Sequence, residues 1–386
     1  MYTVFKKSIL TERSMSKNTK KTKGEGVPAD LRKKALWTIV FLAIAVLTVW
    51  AVTSHAKDFS FRAFWSFLGG LQPAFVCAAF VAMFLYILFE GLALLSLTRG
   101  LGHPRSLGKG YTYSAADIYF SAITPSATGG QPASAYLMIK DGIPGSVVTV
   151  ALLLNLIMYT FSIILLGVLA FILAPSVFLH FSLASKILIL VGFAVQVGLA
   201  FVFILLLKKA SILRFLGHKG ISLLAKLRLV RRVEKKREKL DASIDSYERC
   251  VASIGKKRGM LIKPLIYNVL QRGMLIAVTV FAFLAAGGTL SRSIDVWSAE
   301  CMVVLGSNFV PIPGAMGIAD GLMLDVFKEL CEGAASATNL ELLSRAISFY
   351  LCVILCGVSF LARCVQLSAR SRKRTAEDKT EPSEEA

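Results

Sequence analysis

"FSAITPSATGGQPASAY", Phe120 to Tyr136, interrupts long apolar blocks with two prolines, two adjacent glycines, a glutamine and a run of hydroxyl side chains. A helix broken at such a place leaves N–H and C=O groups that hydrocarbon cannot satisfy, so protein has to enclose the break. The rest of the chain identifies hydrocarbon as the surrounding medium. Its 386 residues are 55% hydrophobic, with a mean hydropathy of +0.64, which excludes an ordinary soluble globular domain.

Apolar runs predict spans over residues 35–53, 74–98, 146–174, 187–207, 264–287 and 345–367. The formal net charge of +20 is concentrated in the tails and in one loop, as cytoplasmic Lys and Arg are. No zinc or aromatic-interleaved motif accompanies it, so nucleic acid is not an expected partner. Residues 208–263 hold seventeen Lys or Arg against five Asp or Glu. Within them Leu240, Ile244, Tyr247, Val251 and Ile254 make one apolar helix face. That face either packs beneath the membrane domain or meets anionic lipid.

A second apolar segment, 297–332, is broken in the same way at "GSNFVPIPGAMGIADG". Ser121 and Pro125 precede Gly129 and Gly130, and Ser307 and Pro311 precede Gly314 and Gly317 with the same Ser-x-x-x-Pro spacing. Charge bias puts the mouth of segment 111–143 inside and that of segment 297–332 outside. The predicted fold is therefore an all-α integral membrane protein with about six transmembrane helices and two re-entrant broken hairpins in an inverted-topology repeat. Its parts are a basic cytoplasmic tail 1–34, a first membrane half 35–207, a basic cytoplasmic segment 208–263, a second membrane half 264–367 and a cytoplasmic tail 368–386. Met15 is an alternative start to Met1, and the oligomeric state stays open.

Gly129 and Gly130 can adopt positive φ and let a ligand approach the main chain, and Pro132 suits the first turn of the returning half-helix. Free N–H groups there, at the positive end of a helix dipole, favour a phosphate or carboxylate. Gly314 and Gly317 are placed to do the same before "IADGLMLDVF", although tight helix packing would use glycines in the same way. Ionizable residues at membrane depth usually face a cavity or one another. They are Glu90, Asp117, Arg272, Glu300, Asp320 and Asp325, with Glu90 and Arg272 expected to pair between helices and the two last aspartates expected near the outer mouth. Asn155, Tyr159 and Gln196 read as helix-to-helix hydrogen bonds, with Asn268 and Gln271 near Arg272. Seven cysteines and four histidines form no disulfide or zinc pattern, so no metal or cofactor is expected. No nucleophile with its base is spaced for catalysis, and no catalytic residue is assigned.

"ITPSATGGQPASAYLMIKDGI" together with "SNFVPIPGAMGIADG" resembles the paired signatures of the lysylphosphatidylglycerol synthase transmembrane region, a flippase-like membrane family. The likeness runs from about Leu36 to Leu367. It places the family motif on Thr124, Pro125, Gly129, Gly130, Gln131 and Pro132, then on Pro311, Pro313, Gly314 and Gly317. Ala315 stands where the family often has glycine, and Asp320 where it commonly has glutamate.

The resemblance implies a bacterial plasma-membrane protein, similar to the membrane half of the multiple peptide resistance factor. Such a protein moves phosphatidylglycerol or lysyl-phosphatidylglycerol between leaflets and protects against cationic antimicrobial peptides. The alternatives are a lysyl-tRNA-dependent phosphatidylglycerol lysyltransferase or its membrane subunit, and a small-solute transporter. Segment 208–263 is too short and basic for a transferase core, so synthesis would need a separate synthase.

Overall fold

The computed structural model describes residues 61–124, 127–226, 233–255, 258–331 and 334–380, and every regular element among them is helical. The expected tail 1–34, the first span 35–53, Pro125 and the last residues of the C-terminal tail lie outside the described residues. A short helix, α1 (Phe61–Gly69), precedes α2 (Pro73–Gly100), which opens on a proline where no intrahelical N–H is needed. At 1.5 Å per residue its 28 residues reach about 42 Å, enough to cross a core about 30 Å thick.

Besides α2, four more helices are long and apolar enough to span. They are α5 (Gly145–Leu173), α7 (Leu183–Lys208), the segment Gly259–Ala285 containing α10 (Ile262–Ala285), and Ala337–Leu367. This is a multi-pass membrane protein. The last span starts earlier than residue 345, because α13 (Ala334–Arg345) runs through a π-helical stretch, Ala346–Leu351, into α14 (Cys352–Thr380). A π segment keeps the helix continuous where polar residues would otherwise suggest an end.

Between the spans lie two interrupted pairs. In the first, α3 (Leu107–Ile123) stops at Thr124, whose backbone is extended, and α4 (Gly130–Lys140) carries the chain back. In the second, α11 (Ser293–Ser307) ends before a 3-10 turn at Pro313–Ala315, and α12 (Ile318–Leu330) follows. Helix α2 lies along α10, α3 packs on α14, and α11 packs on α5. Each interrupted pair thus borders the span that follows the other pair. The small helix α6 (Pro175–His180) connects α5 to α7.

Large side chains such as Ile187, Leu190, Val197 and Phe201 on α7, and Val358, Leu361 and Val365 on α14, are exposed. In a lipid solvent such faces carry no hydrophobic penalty.

At the first break neither glycine uses its freedom to take positive φ. Gly129 has φ −83 and Gly130 begins α4, while Ala127 takes the left-handed conformation at φ 52. At the second break Gly314 and Gly317 do have positive φ, 61 and 79, and Ala315 joins them at 52. Gly130 is required for a different reason. A Cβ there would lie 2.6 Å from the Asp117 carbonyl and overlap the side chains of Asp117 and Ser121, so α3 and α4 can close on each other only without it.

The basic segment folds into α8 (Ala210–Lys226) and α9 (Val233–Gly255), tied by Arg214 to Asp245 at 2.7 Å and His218 Nε2 to Asp241 at 2.8 Å. Ile244 and Tyr247 are buried against the membrane helices, and the Tyr247 hydroxyl donates to the Leu206 carbonyl at 3.2 Å. The apolar face of α9 is therefore taken up by protein contacts, which favours the packing alternative over lipid contact for these residues; the Ile254 side chain lies outside the description.

Candidate functional site

The two breaks line one cavity of about 240 Å³. Ser121, Ala122 and Ala127 border it from the first break; Ser307, Asn308, Ile312, Gly314 and Ala315 border it from the second. Tyr86, Tyr159, Arg272, Glu300, Arg345 and Phe349 complete much of the wall. The space is large enough to admit several waters or a small polar group.

Arg272 projects from α10 and is 9% exposed, with its guanidinium 4.0 Å from the Tyr159 ring centre. Its Nε is buried with no hydrogen-bond partner. The Tyr159 hydroxyl donates to Asn308 Oδ1 at 2.9 Å, which joins α5 to the second break. Glu90 and Arg272 make no direct salt bridge among the described residues. Glu90 Oε2 instead accepts from Gln271 Nε2 at 2.6 Å. Successive helix positions point about 100° apart, so residue 271 turns toward α2 while 272 turns toward the cavity.

Behind the first break, Asp117 accepts from Ser121 Oγ at 3.3 Å and from Gln131 Nε2 at 3.4 Å. The Gly129 N–H donates to Thr124 Oγ1 at 2.9 Å, so the hydroxyl of the break fills the acceptor role expected of a ligand. Pro132 falls in the first turn of α4, as its missing N–H allows. Thr124, Gly129, Gly130, Gln131 and Pro132 are not among the residues that line the cavity, whereas Ser121 reaches it.

Asp320 is buried and doubly engaged. One oxygen accepts from the Gly317 N–H at 2.7 Å at the start of α12, and the other pairs with Arg345. Asp325 sits apart, accepting from the Ser182 N–H at 2.8 Å in the turn before α7. Pro311 is exposed at the second break, and Pro313 contributes to its 3-10 turn. Asn268 Nδ2 donates to Asn155 Oδ1 at 3.0 Å, a helix-to-helix bond of the expected kind.

Arg345 and Glu341 were not among the expected site residues, yet Arg345 lines the cavity and the Glu341 side chain is completely buried. The signal was present in "LELLSRAISFY", where a glutamate and an arginine four residues apart interrupt an apolar run.

The family model described as "Lysylphosphatidylglycerol synthase TM region" matches residues 37–356. A UPF0104 membrane protein of Pyrococcus horikoshii is 24% identical over 257 residues, covering 63% of this chain and 73% of that protein. No solved structure matches the chain.

Proposed function

This chain belongs to the lysylphosphatidylglycerol synthase transmembrane-region family, and from that premise we propose that it carries anionic phospholipid headgroups between leaflets through the cavity at the two breaks. The observation that carries this reading is the placement of Arg272 and Arg345 on the wall of one cavity bordered by both breaks. Two guanidiniums in a water-poor space suit a phosphodiester, which they bind through charge-assisted hydrogen bonds. Arg272 is the primary anion ligand, since among the described residues no carboxylate lies within salt-bridge distance of it, Glu90 and Asp117 acting on it from farther off, and its Nε lacks a partner.

The arginines, tyrosine and serines on the cavity wall suit a polar headgroup that crosses while its tails remain in lipid. Reciprocal packing of α3 on α14 and of α11 on α5 supports an inverted repeat of two re-entrant pairs around that path. The substrate is phosphatidylglycerol or its lysyl derivative, the membrane is a bacterial plasma membrane, and both termini are cytoplasmic. Lysylation is left to a separate synthase.

Purified chain reconstituted in vesicles, with fluorescent phosphatidylglycerol and lysyl-phosphatidylglycerol in the outer leaflet, tests this directly. A charge-assisted hydrogen bond contributes about 1.5–3 kcal/mol, so Arg272→Gln should slow leaflet exchange about tenfold or more without abolishing the fold. Exchange at the wild-type rate in that variant would remove Arg272 from the path. Absence of exchange by folded wild type would overturn the lipid reading.

A further inference from the structure

Glu300 from α11, Asp320 from α12, and Glu341 and Arg345 from α13 form a buried group with three carboxyls and one guanidinium. Arg345 pairs with Asp320, and its Nε stands 3.6 Å from Glu341 Oε1, outside hydrogen-bond reach. The Glu341 side chain is 0% exposed and neither of its oxygens meets a donor group, its carboxyl standing instead against that of Asp320; Glu300 Oε2 is likewise without a donor. A fully ionised group would bury an excess of two negative charges, which protein interiors avoid by taking up a proton or a cation. Among the described residues no three acidic, histidine or cysteine side chains are arranged to hold a metal ion.

The other elements against Glu341 add no second positive charge at contact distance. Asp320 and Glu300 face it from α12 and α11, and Arg345 from its own helix. Helix α10 contributes Thr279, whose hydroxyl is 2.7 Å from that of Ser344, with Arg272 farther along the cavity wall. Glu300 and Arg345 reach the cavity, so whatever binds there touches the same group.

We propose that this carboxyl group is a proton site coupled to anion binding in the cavity. A phosphodiester arriving at Arg345 competes with Asp320 for the guanidinium. The carboxylate it releases then shares a proton, drawn from bulk water, with Glu341. The headgroup and one proton occupy the site together, so binding tightens as pH falls. This rests on the headgroup reading above.

Glycerophosphoglycerol, the deacylated headgroup of phosphatidylglycerol, is a suitable probe because its single charge does not titrate near neutrality. Calorimetry with the full chain in two buffers of different ionisation enthalpy should show uptake of about one proton. Affinity should fall by up to tenfold per pH unit over the range in which the shared proton titrates, as linkage to one proton requires. Glu341→Gln, which mimics the protonated acid, should bind with little pH dependence, and exchange of phosphatidylglycerol in vesicles should lose its pH dependence in parallel. Glu300→Gln provides a second variant should Glu341→Gln fail to fold.

Binding without proton uptake, a slope unchanged in both variants, or a dependence on sodium instead of pH would overturn the coupling and leave the headgroup reading standing. Failure of wild type both to bind the probe and to exchange lipid at any pH would remove the headgroup reading, and the coupling with it.

Discussion

Arg345→Ala is expected to lower stability by about 3–5 kcal/mol, because it leaves Asp320, Glu341 and Glu300 without the one cation that contacts them among the described residues. The damage should reach the second break directly. Asp320 both pairs with Arg345 and accepts from the Gly317 N–H, so losing the arginine frees the residue that fixes the start of α12. Thermal unfolding of the purified protein in detergent should register a large drop in Tm. Arg345→Lys should fall between the two, since an ammonium keeps the charge and loses the planar fork. Arg345→Met combined with Glu341→Gln should recover part of the loss by removing buried charge on both sides. An unchanged Tm in Arg345→Ala would mean that the buried ion group does not hold the second break.

Gly130→Ala is the second change with a large expected effect. The added methyl would overlap Asp117 and Ser121 and would lie 2.6 Å from a backbone carbonyl of α3, which cannot swing aside as a side-chain end can. Overpacking typically costs about 1–3 kcal/mol, and this site belongs at or above the upper end. Separation of α3 from α4 should also widen the cavity wall at Ser121, so lipid exchange should fall together with stability. A variant as stable as wild type would show that α3 and α4 are not held at this distance.

The positions of the breaks were legible because proline, paired glycines and hydroxyls have no place within a lipid-facing helix. Which residue takes the left-handed conformation was not. Glycine permits positive φ without requiring it, and tertiary packing used Gly130 for close approach while Ala127 made the turn. The isolated charges Glu90, Asp117 and Arg272 stood out against apolar surroundings, but periodicity in one helix gives no partner on another. Glu90 therefore bonds Gln271 instead of Arg272.

Arg345 escaped notice for a related reason. Starting the last span at that residue made it an interfacial charge, whereas the helix continues back through Glu341, which it buries, and leaves Arg345 largely covered. The apolar face of α9 was legible as a face, and only the fold identified protein as its cover.

Filling the space where the two breaks meet tests headgroup passage most directly. Ala122→Trp places a large ring in the cavity from the first break, opposite the second. Vesicle exchange of fluorescent phosphatidylglycerol by this variant, with Tm measured on the same preparation, gives the answer. Exchange should be lost while Tm stays near that of wild type. Exchange at the wild-type rate with the ring in place would mean that lipid crosses elsewhere on the protein.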